Sequence, residues 1–108
     1  MKRGDIVTVA APGDYGKPRP AVVIQSDWLA RSDSVLVALM TSAIADAPIY
    51  RLSVGVTPET GLKVASQVMV EKILAVPREK CGSRIGGLDE TAMIALNHML
   101  SVVIGLAD

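Results

Sequence analysis

The chain has 108 residues, half of them hydrophobic, and its eleven basic and eleven acidic side chains cancel. That size predicts a single domain with a real core, and a neutral total argues against a general nucleic-acid coat. One cysteine, Cys81, and one histidine, His98, exclude a disulfide framework and a Cys/His metal cluster, so no cofactor is expected and a reducing cytoplasm is the simplest home. No apolar run of secretory type follows Lys2 and Arg3, and the most apolar segment, residues 93–107, is broken by Asn97, His98 and Ser101 and is shorter than the roughly 20 residues of a bilayer span.

In chain order, residues 5–11 are β-branched and half alternating, which predicts a first strand, and Pro12, Gly13 and Gly16 mark a loop. A second strand is expected over residues 19–25. Ser26 and Asp27 offer an N-cap for a short turn through Trp28, Leu29 and Ala30, and residues 34–40 read as a third strand rich in Val and Leu. Residues 48–54 predict a fourth strand with Pro48 at its first position, where a missing N–H does no harm. After a turn at 57–61, residues 65–76 form a fifth strand expected to bend near Glu71 and Lys72 into a sixth, until Pro77 stops it.

Residues 81–87 carry Gly82, Gly86 and Gly87 and read as a glycine-punctuated connector pinned by Ile85. The one long helix follows, with Asp89 as N-cap, Leu88 and Met93 as a hydrophobic staple, and Glu90 at the positive end of the helix dipole. Apolar residues from Ala92 to Leu106 point in nearly every direction around its axis, so it needs cover on more than one side: the sheet on one, a second copy of the chain on another. Short strands followed by one C-terminal helix predict a mainly β fold, a small bent antiparallel sheet or partly open barrel with a helix packed on it.

The neutral total hides a pattern. Residues 1–31 carry five basic side chains against three acids, and residues 63–84 carry five against two, leaving one basic residue and six acids elsewhere. If the fold joins these two blocks, a modest anion-binding face results.

The usual catalytic arrangements are missing. Cys81 has no histidine near it in sequence, no phosphate-binding glycine loop is present, and the carboxylates show no ligand spacing. What remains is Arg19, held between Pro18 and Pro20 at the start of an apolar strand, whose planar fork can clamp a phosphate and stabilise charge developing on it. Thr41 and Ser42 can donate hydrogen bonds to the same group, and Glu71 can act as a base if its surroundings balance its pKa. Each has a plainer reading as well: a solvated cation, turn chemistry, and a surface pair of Glu71 with Lys72.

Arg3-Gly4-Asp5-Ile6-Val7, Arg19-Pro20-Ala21-Val22-Val23-Ile24-Gln25, Leu39-Met40-Thr41-Ser42, Gly61-Leu62, Ser66-Gln67-Val68-Met69-Val70-Glu71-Lys72 and Ile85-Gly86-Gly87-Leu88-Asp89 occur in this order before the apolar helix. Together they resemble the MazF/PemK toxin family over the whole chain. The resemblance implies a CcdB-like fold with an SH3-like sheet core and a homodimer. It also implies a metal-independent endoribonuclease that cuts single-stranded RNA at short motifs, and neutralisation by an antitoxin with an acidic, disordered tail. It carries catalytic roles to Arg19 and Thr41, and Glu71 keeps the family's fifth-strand acid; Asp14, Tyr15 and Lys17, which stand where many members have a Glu-Gln pair, are expected RNA contacts together with Ser42 and Lys72. Where some members have an arginine two residues before the fifth-strand acid, this chain has Met69; the common Gln after the acid is Lys72, and a further basic position is Leu74. The competing reading is a gyrase-inhibiting toxin of the CcdB kind, although the chain ends without the aromatic that activity uses, or an inactive homologue serving as a binding module.

Overall fold

The computed structural model describes residues 1–10 and 17–108. Six strands, β1 (Asp5–Val9), β2 (Arg19–Val23), β3 (Ser34–Thr41), β4 (Arg51–Val54), β5 (Ser66–Pro77) and β6 (Cys81–Gly87), precede one helix, α1 (Glu90–Val103). They form one antiparallel sheet in the order β4-β5-β3-β2-β1-β6. This is the mainly β, bent open sheet with a C-terminal helix expected from the sequence.

Alternation along the strands supplies apolar side chains to both faces. On one face Ile6, Val22, Met40, Val68 and Val70 pack beneath α1, whose Leu96 is completely buried. On the other, Val7, Val9, Val23, Val35, Val37 and Met69 bury one another as the sheet curls. Asp89 caps α1 by accepting the Ala92 N–H at 2.8 Å, and Leu88 and Met93 both pack against the first core. Ser26 likewise caps the short turn Asp27–Leu29 through the Trp28 N–H.

Several boundaries differ from the sequence reading, by one residue at the ends of β3 and β5 and by more elsewhere. β1 ends at Val9, and residue 11 lies outside the described residues. β2 ends at Val23 because the Ile24 and Gln25 N–H groups both donate to the Leu36 carbonyl, which breaks the ladder. Residues 48–50 are a turn closed by the Tyr50 and Arg51 N–H groups on Ala47, with Pro48 in the position where its fixed φ favours a turn, so β4 begins only at Arg51. The expected bend in β5 leaves a single strand, but its ladder to β3 slips there: Met40 pairs with Val68 and Ala38 with Ile73.

The largest difference is β6. The glycine-rich segment 81–87 is an edge strand on β1, with two register shifts. Its glycines are needed for close approach rather than for looseness: a Cβ on Gly86 would strike the Thr60 carbonyl, and one on Gly82 the Thr8 hydroxyl. Thr60 in turn ties the loop behind it, donating to the Gly55 carbonyl at 2.8 Å and accepting the Thr57 N–H at 3.2 Å.

Asp5 joins β1 to β6. It accepts the Lys2 N–H at 2.8 Å and the Arg84 guanidinium at 3.0 Å. Burial pushes the Asp5 pKa up, but the Lys2 N–H and Arg84 together outweigh it and hold the carboxyl below its ordinary 3.8. A depressed folded pKa means stability that is present above the unfolded value and lost as pH falls through the folded one. Asp5→Asn is therefore expected to cost about 1 kcal/mol at neutral pH, a small figure because Arg84 is largely solvated. In denaturant titrations the gap between the two proteins should hold down to about pH 4 and close below it; a gap unchanged at pH 2 would contradict this assignment.

Candidate active site

Arg19 opens β2 and Thr41 closes β3. Ala21 pairs with Leu39 across these antiparallel strands. That pair is the last of the ladder, two residues short of each, so Arg19 and Thr41 lie at the same end of neighbouring strands; Arg19 itself does not border the cleft that opens nearby. Thr41 pairs with Gln67 on β5, and Gln67 with Ser53 on β4. Thr41, Gln67 and Ser53 thus make a polar row across three strands, with Arg19 at the same end of the next one.

A cleft of about 460 Å³ opens beside this row, bordered by Pro20, Thr41, Ser42, Lys63 and Ser66 over an apolar floor that includes Met40 and Leu62. Gly61 shapes its far wall: its φ is +66°, and a Cβ there would collide with the Ile85 carbonyl. The cleft therefore combines hydrogen-bond donors, a cation and an apolar surface, which suits a phosphate with an attached base.

Loop 42–47 leaves the end of β3 under tight control. The Thr41 hydroxyl oxygen accepts the Ala43 N–H at 3.1 Å, so its own proton remains to be donated. Two residues on, the buried Gln67 side chain accepts the Ala45 N–H at 3.0 Å and donates to the Ala45 carbonyl at 2.9 Å.

The other expected site residues fall in three groups. Ser42 joins Thr41 at the cleft. Lys17 and Lys72 are exposed, Lys17 just before β2 and Lys72 on the slipped part of β5, and neither borders the cleft. Asp14 and Tyr15 lie outside the described residues. Glu71 does not border the cleft either; its carboxylate lies 3.5 Å from the Arg51 guanidinium of β4.

Sequence reasoning missed Arg51 and Gln67. Arg51 pairs with Met69, which brings a cation from the neighbouring strand to the Glu71 carboxylate. The available signals were Gln67 itself, an amide inside an apolar strand, and Arg51, the one basic residue of an acidic segment.

The two basic blocks meet only in part. Arg84 is taken by Asp5 and Arg78 by the Ser32 carbonyl, while Lys63 comes to the cleft beside Pro20. Cys81 packs with the second core, where burial raises its thiol pKa more than Arg78 lowers it, the opposite of an activated nucleophile. His98 is exposed on α1. Among the described residues no three His, Cys, Asp or Glu side chains gather as a metal-binding group, and no helix is long and apolar enough to cross a membrane.

Among the described residues, the bent six-stranded sheet with one C-terminal helix is a fold shared with solved structures of small toxins. A model of the PemK-like, MazF-like toxins of type II toxin–antitoxin systems matches residues 2–104. A relative from Mycolicibacterium smegmatis described as a probable endoribonuclease MazF is 44% identical over 108 residues, covering 99% of each chain. Among solved structures, a mycobacterial endoribonuclease in complex with its cognate antitoxin superimposes with a TM-score of 0.81 at 17% identity, covering 100% of this chain and 98% of that one. The Mycobacterium tuberculosis toxin MazF-mt6 gives 0.81 at 20% identity, covering 96% and 99%. The chain belongs to the PemK/MazF family of type II toxins.

Proposed function

We propose that this toxin is a sequence-specific endoribonuclease that cuts single-stranded RNA, mRNA among its targets, and so arrests translation and growth. The observation that carries the reading is that Arg19 and Thr41 end neighbouring strands at the same edge of the sheet, where Thr41 borders a cleft that offers both polar donors and an apolar floor. The name of the 44% identical relative supports the same activity.

In the reaction the ribose 2′-oxygen attacks the adjacent phosphorus and the bond from phosphorus to the 5′-oxygen breaks. The products are a 2′,3′-cyclic phosphate and a 5′-hydroxyl, with the proton of the 2′-hydroxyl ending, in net, on the leaving oxygen. Charge builds on the non-bridging phosphate oxygens in the transition state. The Arg19 guanidinium and the Thr41 hydroxyl are the donors assigned to it, acting where charge develops rather than on the ground state. Ser42 adds a hydroxyl at the same edge, and Lys63 draws the RNA backbone toward the cleft. DNA lacks the nucleophile and is not a substrate.

The protein acts in the cytoplasm, where its RNA is. Its partners are a second copy and a cognate antitoxin with an acidic, disordered tail that covers the RNA groove. α1 supplies the argument for the copy: Ile94 is 64% exposed and Ile104 57%, although the helix is apolar on nearly every side. Sedimentation at micromolar concentration should give a dimer; a species at the monomer mass of 11.3 kDa would exclude it.

Incubation of the purified protein with a long RNA, with and without EDTA, tests the enzymatic reading. Cleavage into discrete fragments in both samples is expected. An intact RNA would favour the inactive binding module, and cleavage that disappears with EDTA would remove the metal-independent mechanism.

A further inference from the structure

Gln67 is an unusual residue for its position. It lies within the apolar run of β5, only 4% exposed, yet none of its amide's polar atoms is wasted. The carbonyl oxygen accepts the Ala45 N–H at 3.0 Å and an Arg51 guanidinium N–H at 3.3 Å, and the amide nitrogen donates to the Ala45 carbonyl at 2.9 Å. The side chain thus pairs with Ala45 as a strand backbone would, and it does so from the residue that faces Thr41 across the ladder.

Arg51 is committed to the same arrangement. Its guanidinium sits between the Gln67 amide and the Glu71 carboxylate, with Nε 3.5 Å from Glu71 and buried without a hydrogen bond of its own. A buried guanidinium nitrogen short of a partner is costly, and the charge of Glu71 offsets part of that cost. The chain of contacts therefore runs from Glu71 through Arg51 and Gln67 to Ala45, and ends on the loop that leaves Thr41 and Ser42.

We propose that Gln67 is the positioning residue of the Thr41–Ser42 edge, that Arg51 fixes the orientation of its amide, and that Glu71 serves by holding Arg51. This rests on the assignment of Thr41 to the reaction. The amide orientation follows from the partners: Arg51 can only donate, so the Gln67 oxygen must face it, which leaves the nitrogen for the Ala45 carbonyl. The loop is pinned at Ala43 by Thr41 and at Ala45 by Gln67, so the Thr41 hydroxyl cannot turn without losing the Ala43 N–H, and the loop that presents that N–H cannot shift without losing the bonds at Ala45. Glu71, carried over by resemblance as a catalytic acid or base, becomes a positioning residue.

The test uses the full-length protein and a synthetic oligoribonucleotide spanning one cut site mapped in the wild-type digest. Gln67→Ala is expected to lower kcat by about 30-fold with KM little changed, because a displaced donor weakens the transition state more than the encounter. Hydrogen exchange in the same variant should speed up at the Ala43 and Ala45 amides while the amides of α1 keep their protection. Gln67→Glu keeps the acceptor for the Ala45 N–H and for Arg51 but sets a carboxylate oxygen against the Ala45 carbonyl, so it should slow cleavage and speed exchange at Ala45 as Gln67→Ala does, and it serves if Gln67→Ala fails to fold. Arg51→Lys keeps the charge without the fork and should behave like a milder Gln67→Ala.

Wild-type cleavage rate with faster exchange, slow cleavage with unchanged exchange, or a loss confined to KM would each overturn the proposal. If the wild type cuts no RNA, the enzymatic reading fails by itself, and the exchange result alone decides whether Gln67 holds the loop.

Discussion

Arg19→Ala is expected to reduce RNA cleavage by about a thousandfold while leaving the fold intact, since removing one preorganised donor to a developing oxyanion costs on the order of a hundred- to a thousandfold in rate. The fold should survive because Arg19 stands at the first position of β2 and belongs to neither apolar core, to which β2 contributes Ala21, Val22 and Val23. Arg19→Lys is expected to restore little. A single ammonium can neutralise charge but cannot present two parallel N–H groups to two phosphate oxygens. Thr41→Val, which keeps the shape and removes the hydroxyl, should cost less than Arg19→Ala because a neutral donor is worth roughly half of a charged one. The measurement is single-turnover cleavage of one oligoribonucleotide, with circular dichroism and thermal melting as controls. Equal cleavage by Arg19→Ala and wild type would remove Arg19 from the reaction.

The second large effect lies in the substrate. Replacing the one ribose at the cut site by deoxyribose is expected to abolish cleavage there, with binding changed by less than about tenfold, because one hydroxyl is a small part of the contact area but is the nucleophile. Cleavage elsewhere in the same strand should continue. Cutting at the substituted position would mean that water, not the ribose, attacks phosphorus. Taken together the two substitutions separate the roles: one removes charge stabilisation, the other the attacking atom.

The parts of the fold that were legible in the sequence are those governed by local chemistry. β-branched runs with polar ends gave the first three strands, Asp89 gave the helix start, and Ser26 gave the small cap before Trp28. The segment 81–87 was not legible as a strand, because its glycines read as loop signals until one sees what approaches them: Thr8, Thr60 and Arg84 lie where a Cβ would be. Residues 48–50 failed in the opposite direction, since Ile49 and Tyr50 have strand propensity but the turn closed on Ala47 uses Pro48 first. In both cases a long-range or turn-specific hydrogen bond overrode propensity.

The site was partly legible for the same reason. Arg19 and Thr41 could be selected as candidates because a proline-flanked cation and a strand-end hydroxyl are local features, and the strand order sets them at the same end of neighbouring strands. Arg51 and Gln67 could not, because their meaning depends on β4 lying beside β5 in the register that sets Arg51 against Met69 and Gln67 against Ser53. No spacing in the sequence links residues 45, 51, 67 and 71. The sheet alone does so, and it sets the Glu71 carboxylate 3.5 Å from the Arg51 guanidinium.

The central claim is that the 2′-hydroxyl attacks at a site built from Arg19 and Thr41, and the chemical nature of the cut ends tests it most directly. Mass spectrometry of the fragments from a single oligoribonucleotide, digested in the presence of EDTA, should give an upstream product ending in a 2′,3′-cyclic phosphate and a downstream product beginning with a 5′-hydroxyl. An upstream 3′-hydroxyl with a downstream 5′-phosphate would require water as the nucleophile and would contradict the account.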